Sequence, residues 1–223
     1  MPPDQPDATT DDPIDDPTDD GVIVLPWWQN PRNIVTLIVT TALLAGMAGW
    51  FVGRSSEDID TSNVDVGFLQ DMRVHHEQAV NMSFIYLDRP DIDPQLVVVA
   101  DSILFGQSVE IGMMRQLLDD MGADGVGDPD DAMAWMGMSP MNENDMPGMA
   151  TSAQLDELAR SSGTDADALF GQLMSAHHQG GIDMSEFAAA NAENGRVRQL
   201  AASWAVSQRD EIAEMNQLVE PTD

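Results

Sequence analysis

The chain has no cysteine. That excludes disulfides, a thiolate metal site, a cysteine nucleophile and a lipid-modified cysteine anchor. Lysine is missing too: all nine basic residues are Arg, set against 39 Asp and Glu, for a formal net charge of -30. Phosphate binding needs a basic patch, so nucleic acid drops out as a partner. Most of the carboxylates suit a solvated acidic face, which also raises the local cation concentration. The sequence shows no Ser-His-Asp pattern, Gly-rich phosphate loop or His-Glu-x-x-His zinc motif. Sulfur comes from Met alone, and Met is abundant at sixteen residues.

Composition divides the chain. Residues 1–31 carry eight Asp, several Pro and no basic residue, so they cannot bury enough surface to fold and read as a disordered acidic arm. Trp27 and Trp28 stand where an interfacial aromatic belt would be. Asn33–Val52 then runs 20 residues without a charge, the length of one membrane-spanning helix, and predicts an anchor over 32–54. Arg32 and Arg54 flank it one each, so charge does not set its orientation. From about residue 61 the periodicity is helical, with helices predicted over 62–88, 95–120, 165–194 and 196–219 and a short one near 153–160. Pro90 and Pro94 bracket the first turn, and Asn194-Gly195 mark the last. Residues 121–151 form a loop rich in Gly, Asp and Met.

The helical part repeats itself. FLQDMRVHHEQAVNM from Phe68 answers FGQLMSAHHQGGIDM from Phe170 at an offset of 102 residues. QSVEIGMM from Gln107 answers QRDEIAEM from Gln208 at an offset of 101. Two helical hairpins related in this way predict an all-α, pseudo-symmetric four-helix bundle over residues 61–220.

All four histidines lie in the repeat, as His75-His76 and His177-His178. Helical spacing puts Phe68, Met72, His75, Ala79 and Met82 on one stripe, and Phe170, Met174, His177, Gly181 and Met184 on its counterpart. His75 and His177 should look into the bundle. His76 and His178, rotated by about 100°, should reach a neighbouring helix or a groove. On the partner helices, Glu110 and Glu211 sit on apolar stripes, where a carboxylate is costly unless paired or metal-bound. Each can meet an imidazole. The candidate metal ligands are therefore His75, His76, His177, His178, Met72, Met82, Met174, Met184, Glu110 and Glu211. A carboxylate in this set can act as ligand or can hold the tautomer of a ligating His. The helix Met residues serve equally as core filling. Six further Met residues, at 133, 136, 138, 141, 146 and 149, crowd the loop, where core packing does not account for them.

Thioethers favour Cu(I), and imidazole binds both copper states, so copper is the first expectation. Two rivals stay open. One is a di-iron or di-manganese oxidoreductase on His75, His177, Glu110 and Glu211, although neither hairpin has the Glu-x-x-His pair such sites use. The other is a metal-free interaction module in which the His pairs are packed polar core. No catalytic residue is assigned, and no protein partner is named by the sequence.

The repeated Met-x-x-His-His followed by Met, at Met72–His76 and again at Met174–His178, resembles the family known as domain of unknown function 305. The segment from Met146 to Met184 looks like its linker and second half. The resemblance implies a ferritin-like fold, export or membrane anchoring with the bundle outside the cytoplasm, and, for some members, copper binding. It also implies His among the loop Met residues, and this loop has none.

Overall fold

The computed structural model describes residues 31–54 and 63–219. The acidic arm expected over 1–31 therefore lies, except for Pro31, outside the described residues. Two compact units divide the chain, 1–57 and 58–223. The first contains α1, Pro31–Arg54, which encloses the uncharged run. Its apolar side chains from Ile34 to Met47 are exposed.

The second unit holds α2 (Asn63–Leu87), α3 (Pro94–Asp120), α4 (Ser152–Arg160), α5 (Gly163–Asn191) and α6 (Gly195–Val219). Local chemistry sets the ends. Asp93 caps α3 by accepting from the amides of Gln95 and Leu96, with Pro94 in the first turn, where no amide is needed. Thr151 and Gln154 close a capping box on α4. Asn194 accepts from the amides of Arg196 and Val197 and starts α6. Helix α5 stops at Asn191, three residues before its predicted end. Asp65 on α2 accepts the amides of Glu193 and Asn194 and draws the chain out of the helix.

Helix α2 packs on α3 and α5 on α6, while α2 meets α5 and α3 meets α6. The four long helices thus close a ring around one interior. Helix α3 is long and apolar enough to cross a membrane, and here it forms one wall of that ring. Among the described residues there is no strand, only an isolated bridge between Ala132 and Met141.

The interior has two apolar clusters. One gathers Phe68, Leu69, Met72, Met114, Met184 and Trp204. The other gathers Met82, Ile103, Phe170, Met174, Met215 and Tyr86, with the Tyr86 ring stacked on Phe170 at 4.2 Å. The repeat exchanges them. Met72 and its counterpart Met174 lie in opposite clusters, as do Met82 and Met184, Met114 and Met215, and Ile103 and Trp204. That exchange is what a two-fold relation between hairpins produces.

The loop corrects one expectation. Its Met residues do pack: Met133 and Met146 are buried in the first cluster, Met136, Met141 and Met149 lie against it, and Met138 alone of the six is exposed. Two single-turn helices, Ala134–Met136 and Glu143–Asp145, and an anchor at Asp71 make this arrangement. The Asp71 carboxylate accepts the Met133 amide and the Trp135 indole N–H, both at 2.7 Å. Trp135 lies over Gly67, where any Cβ would collide with the indole.

Candidate metal centre

The four histidines form a polar layer between the two clusters, and each is 0% exposed. His75 from α2 and His177 from α5 stack at the middle, with ring centroids 3.7 Å apart and planes inclined by 30°. They come together where α2 and α5 meet. At Gly181 a Cβ would strike the Gln208 amide.

The outer imidazoles turn the other way. His76 Nε2 lies 2.8 Å from Glu110 Oε2 on α3, and His178 Nε2 lies 2.6 Å from Glu211 Oε2 on α6. The carboxylates are 22% exposed, so each ends near the surface while its His stays inside. A carboxylate accepting at Nε2 holds the proton there when the ring is neutral. The lone pair is then left on Nδ1. The same arrangement orients metal-ligating histidines. Neither Nδ1 has a hydrogen-bond partner among the described residues.

The inner pair differs between its members. His75 Nε2 is 3.2 Å from the carbonyl oxygen of Pro147, in the loop. His177 has no hydrogen-bond partner at either nitrogen among the described residues. Burial pushes the His75 pKa down to about 3, helped by the charge of His76 and His178 and opposed by the Pro147 carbonyl. Burial also holds His177 well below its usual value, with repulsion from His75, His178 and His76. The His75 carbonyl offsets part of this without reaching hydrogen-bond geometry. Both rings are therefore neutral at physiological pH, the form that ligates metals.

The loop is brought to this layer by two glycines. A Cβ on Gly180 would collide with the Pro147 carbonyl oxygen, and one on Gly148 would collide with the backbone at Ala176 and His177. Gly148 also has φ 83°, a left-handed conformation that disfavours side chains. Pro147, Gly148 and Gly180 are site residues that the sequence reading missed. A visible sign was the Gly180-Gly181 pair inside a helix, a placement costing about 1 kcal/mol per residue unless close approach requires it.

Five ring nitrogens, Nδ1 of all four His and Nε2 of His177, are buried without partners among the described residues. A buried polar atom left unpaired costs roughly 1–3 kcal/mol, so a ligand acting as Lewis acid would relieve them. Met72, Met82, Met174 and Met184 are fully buried in the clusters on either side. Nitrogen with thioether sulfur fits copper better than an oxygen-seeking ion. Among the described residues, however, no three His, Asp or Glu side chains converge on one ion position. The stacked rings must turn before they can share an ion.

An all-helical unit with paired histidines at its centre defines the class of protein. The chain belongs to the family called domain of unknown function 305, whose match spans residues 65–219. It is similar to a protein of that family from Streptomyces coelicolor, one named as secreted. The two are 39% identical, with TM-score 0.64, over 70% of this chain and 91% of that one. A DUF305 fragment from Deinococcus radiodurans is 28% identical, with TM-score 0.61, over 71% of this chain and 97% of that one. CopM in its Cu(I)-bound form is 25% identical, with TM-score 0.51, over 69% of this chain and 94% of that one. No curated protein matches the chain.

Proposed function

We propose that this protein is a membrane-anchored, extracytoplasmic copper-binding protein that buffers or delivers copper through a ferritin-like bundle. The observation that carries the reading is the layer of four buried imidazoles with partnerless nitrogens, two of them held by Glu110 and Glu211. The similarity to a protein seen with Cu(I) supports it, and the secreted relative supports the location. In this reading His75, His76, His177 and His178 supply nitrogen, and Met72, Met82, Met174 and Met184 supply sulfur. Glu110 and Glu211 fix tautomers from outside. Such a ligand set suits copper of either charge, with sulfur weighting it toward Cu(I). Helix α1, with its exposed apolar side chains, is the anchor.

The test is competition with a Cu(I) chelator under anaerobic, reducing conditions. Replacing Met72, Met82, Met174 and Met184 together by Leu keeps most of the volume, at a cost usually below about 1.5 kcal/mol per site. The fold should survive while Cu(I) affinity falls. His75→Ala with His177→Ala should weaken Cu(I) and Cu(II) together. A Leu variant that competes like the parent makes the four Met residues core alone. Loss of binding only when residues 133–149 are deleted moves the site into the loop and defeats the assignment.

A further inference from the structure

The Glu side chains lead to a second place in the fold. Between α3 and α6 lies a groove of about 150 Å³, lined among others by Gly106, Gln107, Glu110, Ser207, Gln208 and Glu211. The repeat builds it twice over: Gln107 and Gln208, Glu110 and Glu211, and Gly106 and Ser207 are matched positions at the 101-residue offset. No basic side chain lines it. Each Glu gives one oxygen to a His and keeps a second, and for Glu211 the Ser207 hydroxyl stands 3.5 Å from that second oxygen.

The amides point to a ligand independently of the carboxylates. Gln107 is 4% exposed and Gln208 is 3% exposed. Gln107 Oε1 and both polar atoms of the Gln208 amide have no hydrogen-bond partner among the described residues. Two buried amides beside two carboxylates, all lining one cavity, would be costly without something to bind. Every side-chain acceptor here is oxygen, whereas the imidazole layer offers nitrogen with sulfur beside it. Oxygen ligands select hard divalent cations, and a site with few carboxylates leaves such an ion part of its water. The volume holds an ion with a few waters.

We propose that the α3–α6 groove is a second cation site, separate from the imidazole layer. It takes a partly hydrated, oxygen-preferring divalent ion of the Mg²⁺ or Mn²⁺ class. Glu110 and Glu211 provide the charge, and the Gln107 carbonyl oxygen completes the inner wall, with the Gln208 amide packed on Gly181 beneath it. Because the same two carboxylates hold His76 and His178, an ion in the groove sits one side chain away from the layer within.

Mn²⁺ is the probe, since its unbound form is counted by electron paramagnetic resonance and its retained water is read by proton relaxation. The metal-free full chain in mild detergent is titrated beside three double variants: Glu110→Gln with Glu211→Gln, Gln107→Leu with Gln208→Leu, and His75→Ala with His177→Ala. The parent should bind one Mn²⁺ more tightly than its diffuse acidic surface does, with enhanced water relaxation. Both groove variants should weaken that ion by on the order of tenfold or more, a difference of about 1.4 kcal/mol per decade, while the His variant keeps it. The Leu pair retains both His–Glu contacts, so it answers the question even where the Gln pair unfolds. Equal binding by parent and both groove variants overturns the proposal, as does loss of the ion in the His variant. Absence of relaxation enhancement overturns the partly hydrated ion. Copper competition is a separate measurement, so the failure of one site is distinguished from the failure of the other.

Discussion

Acidification should unfold the metal-free bundle earlier than its carboxylates alone would require. His75 and His177 stay neutral inside the protein, with the His75 pKa near 3 and that of His177 also well below its usual value. In the unfolded chain each titrates near 6.5. Between these limits the unfolded state binds more protons, so stability falls as pH falls. The loss starts near pH 6.5 and continues until the folded rings themselves protonate. One pH unit below 6.5, each ring costs about 1.4 kcal/mol, or about 3 kcal/mol for the pair. That is a large share of a typical 5–15 kcal/mol. Asp71 acts the other way: burial raises its pKa, so its contribution is present at low pH and lost as pH rises. Relief of repulsion in a chain of net charge -30 acts the same way as carboxylates protonate. The informative window is therefore pH 7.5 to 5.5, above most carboxylate titrations. Urea unfolding followed by far-ultraviolet circular dichroism should show the midpoint falling by roughly 1–3 M across it, for a urea slope of about 1–3 kcal/mol/M. His177→Gln should flatten the slope. A midpoint that holds or rises toward pH 5.5 would refute the burial of two neutral imidazoles.

Gly180→Ala should destabilise the bundle by about 1–3 kcal/mol, because the new methyl meets the Pro147 carbonyl in a tightly packed contact; thermal unfolding checks this, and a neutral or stabilising effect would mean the loop does not lie there in solution. For topology, protease added to intact cells should cut the bundle and spare the acidic arm, and protection of the bundle would defeat the extracytoplasmic placement.

Much of the helical frame was legible because periodicity and caps agree. The start of α3 follows from Asp93-Pro94, and that of α6 from Asn194-Gly195. The meeting of His75 with His177 followed from the repeat, since matched stripes on two hairpins face each other in a bundle. The pairing of outer His with Glu followed from a carboxylate on an apolar stripe. The loop was not legible. Its path depends on backbone contacts at Gly67, Gly148 and Gly180 and on two hydrogen bonds to Asp71. These join residues far apart in sequence, and no periodicity encodes them. Six Met residues in a polar stretch gave no sign of core packing, whereas the chain folds back and buries Met133 and Met146.

The Pro147 carbonyl reaches only one of the two central rings. In a dimer of identical hairpins the two rings on the axis would be interchangeable, and a hydrogen bond made by one would be made by the other. Joining the hairpins in a single chain removes that constraint. The connecting segment lies against both hairpins, on Asp71 and Gln78 of α2 and on Gly180 of α5, yet its Pro147 carbonyl meets His75 alone of the two rings. Two copies of one residue, started from the same motif, then stand in unlike surroundings: one ring has a backbone acceptor, and the other has none among the described residues.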